Sequence, residues 1–231
     1  MVKILNKEEA LAAATAAGLE TNVTVIDCKC LKHLFTTIRD KGTSAPDFAR
    51  AANRLMTVLS EEAIACLPST PSTAVTPCGE YAGCSPPAAS DVCAVSIVRA
   101  GDSLLECLRG VWPEVSVGKI LIQRDEETAE PKLFYCKLPK TVTAKHVMLV
   151  DPMLATGGSA ACAVKCLIDA GVPEEKIMFV NVVACMQGLS LLLGQYPKIQ
   201  VVTAEIDEGL NESAYIVPGL GDYGDRYFGT E

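Results

Sequence analysis

Nowhere does this sequence run apolar for the roughly 18 consecutive residues that a membrane-spanning helix needs, so no membrane partner is expected. Positive charge is also short: 20 Lys and Arg stand against 28 Asp and Glu, a formal net charge of -8. A broad nucleic-acid footprint requires clustered basic residues, and none is expected here. Histidine occurs only at His33 and His146, and the 11 cysteines include no C-x-x-C pair. Structural zinc draws on such residues at close spacing, so a structural zinc site is not expected. An odd number of cysteines, spread from Cys28 to Cys185, does not describe a disulfide framework. The start of the chain, with Lys3, Lys7, Glu8 and Glu9, lacks the sustained apolar region of a secretory signal. A reducing cytosol is the simplest compartment, and a cytoplasmic location is expected. Two nucleotide signatures are missing as well. Around Gly157 and Gly158, the adjacent glycines of the chain, no lysine completes a G-x-x-x-x-G-K-[ST] loop and the G-x-G-x-x-G spacing is not kept, so a nucleoside triphosphatase and a dinucleotide dehydrogenase both lose ground.

What is present is a well-packed pattern: 49% hydrophobic and 21% charged residues in 231, which suits one α/β domain with a small appendage. A capped helix is expected over residues 10–17, ending at Gly18. A strand is expected over 23–26 and a helix over 31–38. Ser44 then caps a longer helix whose Phe48, Ala51, Ala52, Leu55, Val58, Leu59, Ala63 and Ile64 form one apolar stripe. Arg39 and Lys41, between these helices, are read as solvated or at a subunit contact. Residues 68–91 turn to Pro, Ser, Thr, Gly and Cys, the texture of a long loop or extended arm. Beyond them strands and helices alternate: strands at 92–98, 117–123, 132–137, 147–150, 177–184 and 199–204, with helices at 103–111, 159–170 and 187–195. Alternation of this kind builds a mostly parallel sheet covered on both faces, with ligands beyond the carboxyl ends of its strands. Cys93, Cys107, Cys136 and Cys185 sit in apolar runs and are read as small buried hydrophobes. The chain divides on this reading into a helical segment 1–67, an arm 68–91, a core 92–205 and a C-terminal loop 206–231.

The chemistry concentrates in residues 146–163, HVMLVDPMLATGGSAACA. A short β-branched run ends in Asp151, a loop with Gly157 and Gly158 follows, and an alanine-rich helix starts near Ser159. Glycines let the backbone approach a ligand, and a helix start offers unpaired N–H groups at the positive end of its dipole. That describes a phosphate seat. Asp151 would repel phosphate oxygens but accept hydrogen bonds from ribose hydroxyls, which points to a sugar phosphate. On shape alone, an ordinary strand-to-helix turn with glycines for tight packing is an equal reading. Arg99 and Arg124 each follow a strand end, and two guanidiniums there suit a pyrophosphate, with surface ion pairing of Arg124 to Asp125 or Glu126 as the plainer alternative. Phosphate chemistry in an acidic protein also suggests Mg²⁺. Near the C terminus, YIVPGLGDYGD is a shaped loop of exposed backbone groups, or simply a structural turn.

Together these stretches resemble the uracil phosphoribosyltransferases, of the type I phosphoribosyltransferase fold. The resemblance rests on VDPMLATGGSA, on SIVRAGDSLLECL with QRDEETAEPKLFYCKLP, and on AEIDEGLNESAYIVPGLGDYGDRYFGT, in that order and spacing. It implies a mostly parallel α/β sheet flanked by helices, with a small hood and an extended arm that reaches toward a partner subunit. It implies that phosphoribosyl pyrophosphate (PRPP) is held by Arg99, Arg124, Asp151, Pro152, Met153, Leu154, Ala155, Thr156, Gly157, Gly158, Ser159 and Asp222. Uracil would be read by Ile216, Gly221, Asp222 and Tyr223, with Asp151, Asp222 and Arg124 closest to the reaction. The implied reaction converts uracil and PRPP to UMP and pyrophosphate, with Mg²⁺ carried mainly by PRPP rather than by protein ligands. A homodimer or homotetramer is implied too, and GTP is a candidate effector because some relatives respond to it. The sequence departs from the family pattern at Tyr223 and in the arm, which carries Pro86, Pro87, Cys78 and Cys84. Two other readings stand beside this one: a non-catalytic PRPP- or nucleotide-binding regulator on the same scaffold, and an enzyme for another base.

Overall fold

The core strands are apolar on both faces, and helices cover both. A computed structural model describes residues 12, 15, 18, 22–124 and 131–230, so most of the expected helix over 10–17 lies outside the described residues, as do Asp125 and Glu126. The elements, in chain order, are β1 (Val23–Val25), α1 (Leu31–Arg39), α2 (Ala45–Ala65), β2 (Thr70–Thr76), β3 (Gly79–Ser85), β4 (Val92–Val98), α3 (Gly101–Val111), β5 (Ser116–Arg124) and β6 (Pro131–Lys137). They continue with β7 (His146–Val150), β8 (Met153–Leu154), α4 (Gly158–Asp169), β9 (Ile177–Cys185), α5 (Met186–Gln195), β10 (Gln200–Asp207), β11 (Gly209–Leu210), β12 (Ile216–Val217) and α6 (Tyr223–Phe228).

The main sheet runs β1-β10-β9-β7-β4-β5-β6, with β8 joining β9 off this path. Every pairing in it is parallel except β5 with β6. From β4 the chain crosses by α3 to β5 on one side; from β7 it crosses by α4 to β9 on the other. The winding therefore reverses between β4 and β7, and in open α/β sheets the crevice beyond the carboxyl ends at such a reversal is where ligands bind. Arg99 follows β4 and Asp151 follows β7, so the reversal itself brings these two residues to one crevice.

Alternate residues of the strands feed two cores. On one face Phe48 and Leu55 of α2, Leu34 of α1 and Leu104 of α3 pack on Val92, Met148 and Met178. On the other, Val164 and Leu167 of α4 with Leu189 and Leu192 of α5 pack on Val95, Leu149 and Phe179. All nine residues of β9 are buried. Helix α2 starts where its sequence signals place it: the Ser44 hydroxyl accepts from the Asp47 amide at 3.3 Å, and Pro46 lies in the first turn.

Two expectations change, and of the two readings of residues 68–91 the extended arm is the one found. Residues 70–85 are a regular antiparallel hairpin, Thr70 opposite Ser85 through Thr76 opposite Gly79. Its residues are almost all exposed, with Val75 85% and Tyr81 64% accessible. Cys136 is exposed rather than buried, because β6 is the sheet edge. Arg39 is neither solvated nor at the surface: its side chain is 12% exposed and ion-paired to Asp207 and Glu205.

Candidate active site

The loop after β7 is fixed by the sheet before it reaches its glycines. The Asp151 amide donates to the Val180 carbonyl at 3.2 Å, and the Pro152 carbonyl accepts from the amides of Val182 at 2.8 Å and Val183 at 3.0 Å. Met153 and Leu154 then pair with β9. The second half of the loop rests on the start of α5. Gly157 has φ +85°, and a Cβ there would lie 2.9 Å from the Gly188 carbonyl oxygen, so an L side chain is excluded twice. A Cβ on Gly188 would meet the Ala155 carbonyl oxygen at 2.5 Å. The Cys185 thiol donates to that same oxygen at 3.0 Å, which gives this buried cysteine a role in holding the loop. Gly157 caps α4 without a side-chain hydrogen bond. The first amides of α4 are therefore left for an anion, at the positive end of a 12-residue helix.

Two cavities open onto this loop. One, of about 380 Å³, is lined by Met153 and Ala155 from the loop and by Ser213, Ala214, Tyr215, Ile216, Gly221, Asp222 and Tyr223 from the C-terminal region. The other, of about 310 Å³, is lined by Arg99, Asp151, Ser159, Asp222 and Gly224 together with Ile97, Val98, Ala100 and Ile122. Asp222 belongs to both walls. Its carboxylate accepts from the Asp225 amide at 2.9 Å and so caps α6. Asp151 is half-buried in the cavity wall, and its partial desolvation, reinforced by the nearby Asp222 charge, pushes its carboxyl up to about 7 despite a hydrogen bond from the Met153 amide.

The remaining candidate residues are distributed around these cavities. Arg99 reaches the second cavity, and its guanidinium donates to the Asp225 carboxylate at 2.7 Å and the Thr230 hydroxyl at 2.8 Å. The Thr230 hydroxyl and Arg99 together hold Asp225 below the usual carboxylate range. Arg124 ends β5 opposite Pro131; its side chain lies outside what is described. Tyr223 lines the first cavity, yet the residue is only 2% exposed and its hydroxyl is turned into the core. There its hydroxyl meets Ser103 Oγ at 3.2 Å and Met56 Sδ at 3.2 Å, and burial raises the phenol far above its ordinary range. Pro152, Leu154, Thr156, Gly157 and Gly158 do not line either cavity and instead shape the loop. Sequence reasoning missed Ser213, Ala214, Gly188 and Cys185. Asn211 was the available signal for the first two: its side-chain oxygen accepts from the amides of Ser213 and Tyr215, a turn that asparagine favours.

A reversal crevice with an anion seat on one strand end and two acids at its mouth defines a type I phosphoribosyltransferase. The chain superposes on the adenine phosphoribosyltransferase of Trypanosoma brucei with a TM-score of 0.54 at 13% identity, over 87% of this chain and 88% of that one, a likeness of fold. Closer similarity narrows the class. The uracil phosphoribosyltransferase profile matches residues 25–230. A uracil phosphoribosyltransferase of Dictyostelium discoideum is 52% identical over 202 residues, 87% of this chain and 93% of that one. A solved protein from Aquifex aeolicus is 30% identical with a TM-score of 0.77, covering 89% of this chain and 97% of that one. The chain belongs to the uracil phosphoribosyltransferase family.

Proposed function

We propose that this cleft transfers the phosphoribosyl group of PRPP to N1 of uracil, releasing pyrophosphate and giving UMP. The observation that carries the reading is Asp222, shared by a cavity walled by backbone of the C-terminal loop and a cavity walled by Arg99, Asp151 and Ser159. A base in the first and a phosphoribosyl group in the second would meet at that shared wall. Uracil offers an acceptor, a donor and an acceptor along one edge, and the N–H and C=O groups of residues 216–223 can answer that order. Cytosine would leave buried partners mismatched, which is costly. The amides at the start of α4 and the Ser159 hydroxyl would hold the 5′-phosphate, and Asp151 the ribose hydroxyls.

As the C1′–O bond to pyrophosphate breaks and the N1–C1′ bond forms, the sugar becomes oxocarbenium-like and the N1 proton is released to water or to the departing pyrophosphate. No side-chain nucleophile is required; the cleft acts by placing N1 and by stabilising charge on the leaving group through Arg99 and Arg124. Mg²⁺ would enter carried by PRPP, and the like charges of Asp151 and Asp222 in the cleft wall suit a cation beside them. When bound with PRPP it supplies positive charge to the pyrophosphate oxygens.

The exposed β2–β3 hairpin supports a homo-oligomer, since two strands without a packed face are marginal alone. Among the described residues no helix is long and apolar enough to cross a membrane; the abundance of free cysteines supports a cytoplasmic setting. The reading is tested by incubating the protein with uracil, PRPP and Mg²⁺ and separating nucleotides by chromatography. UMP that appears only when all three are present is expected; intact PRPP after long incubation would overturn it.

A further inference from the structure

The C-terminal loop between β12 and α6 contains a proline, two glycines and few side chains able to pack, so its own sequence gives it little rigidity. Two guanidiniums supply what it lacks. Arg39, at the end of α1, donates through one amino group to the Gly219 carbonyl at 2.8 Å and to Asp207 Oδ2 at 2.8 Å. Its other amino group donates to Asp207 Oδ1 at 2.8 Å and Glu205 at 2.7 Å. Asp207 Oδ2 also accepts from the Gly219 amide at 2.9 Å, so both the N–H and the C=O of Gly219 are fixed by one buried ion pair. The next carbonyl, of Leu220, accepts from Arg226 at 2.7 Å. Arg226 also donates to the carbonyls of Ile38 at 2.6 Å and Asp40 at 2.6 Å, on the other side of Arg39. Its guanidinium lies over the Phe48 ring, 4.5 Å from the centroid.

Consecutive loop carbonyls are thus held by Arg39 at the end of α1 and by Arg226 of α6, itself tied to the carbonyls that flank Arg39, and the residues that follow them are Gly221, Asp222 and Tyr223. A planar fork can grip a carboxylate and a carbonyl at once, which an ammonium cannot. We propose that Arg39 and Arg226 are positioning residues for base recognition: they fix the backbone of 219–220 and thereby the order of N–H and C=O groups that meet uracil. This rests on the assignment of that loop to the base. Neither arginine lines either cavity, so both act through the loop rather than on a substrate.

The test is steady-state kinetics of Arg39→Lys and Arg226→Lys, each first shown by circular dichroism to be folded, beside hydrogen exchange of the unaltered protein with and without UMP. Lysine keeps the charge next to Asp207 and loses the bridge. The KM for uracil should rise about tenfold in each variant, the effect of one lost charge-assisted hydrogen bond, while the KM for PRPP stays within about twofold, and discrimination against cytosine should fall. A merely structural role would move both KM values together, and that result, or an unchanged uracil KM in folded variants, overturns the inference. Arg226 is only half-buried, so its variant decides the matter should Arg39→Lys fail to fold. UMP should slow exchange at amides 216–223 in the unaltered protein. An active protein without that protection would remove the base assignment itself, a failure separable from unchanged kinetics with protection intact.

Discussion

Replacing Asp151 by asparagine separates what this residue does for the fold from what it does for the reaction. Its carboxyl titrates at about 7 rather than at the ordinary 3.8. The unfolded chain therefore ionises this group first, and folding must hold a charge that the cleft disfavours. The penalty is absent below about pH 4, grows as pH rises toward 7, and is complete above it. A gap of about 3 pH units corresponds to ~4 kcal/mol as a ceiling, and water at the cleft mouth should reduce it to about 2 kcal/mol. Asparagine is isosteric, keeps an oxygen for the Met153 amide and carries no charge. Ligand-free Asp151→Asn should then melt about 5 °C above the unaltered protein at pH 8, given about 2–4 °C per kcal/mol at this chain length. The difference should close by pH 4. Turnover should fall by about 100-fold, because the amide cannot accept from two ribose hydroxyls as the carboxylate can. The assay is thermal unfolding by circular dichroism at pH 4, 6 and 8, without PRPP or metal. A variant less stable at pH 8, or one with the same offset at every pH, would refute the burial argument; unchanged turnover would remove Asp151 from the site.

The same carboxyl sets a pH profile: kcat/KM for PRPP should fall as pH drops through about 7, where the free protein's Asp151 takes up a proton, and a flat profile from pH 5.5 to 8 would contradict it. Gly188→Ala places a methyl 2.5 Å from the Ala155 carbonyl and 2.8 Å from that of Leu154. It should displace the phosphate loop and lower kcat/KM for PRPP about tenfold or more, measured by initial rates. Tyr223→Phe removes a hydroxyl buried between Ser103 and Met56. It should cost about 1 kcal/mol in urea unfolding while leaving the uracil KM within about twofold, since the hydroxyl is buried against Ser103 and Met56.

What the sequence discloses and what it hides follow a physical division. Local periodicity exposed the apolar stripe of α2 and the run of β9, apolar but for Asn181, because burial writes a repeat into neighbouring positions. Gly157 before an alanine-rich helix marked a tight turn onto a helix start, because at φ +85° the backbone there tolerates little else. Arg39 was misjudged because its partner, Asp207, is 168 residues away and no local pattern links a guanidinium to a carboxylate at that distance. Gly188 and Cys185 looked like ordinary residues of a strand and helix; their contact with Ala155 exists only once α5 folds back against the loop. Helix α6 was hidden by its flanking glycines, although Asp222 followed three residues later by Asp225 carried a capping signal. Cys136 was assigned to the core because an edge strand such as β6 alternates apolar residues much as a central one does. Tyr223 lines the first cavity, but packing of its ring against Phe48, with centroids 5.4 Å apart, and Tyr227, at 5.7 Å, is long-range and could not be read from the motif.

The central claim is that the loop at residues 216–223 selects uracil for attack on PRPP held at Asp151 and the start of α4. Pyrophosphate release from PRPP and Mg²⁺, with uracil, cytosine, hypoxanthine and adenine supplied separately, addresses both halves at once. Release with uracil alone is the predicted result. Release with another base in place of uracil would contradict the backbone-edge account, and binding of PRPP with no release on any base would contradict catalysis altogether.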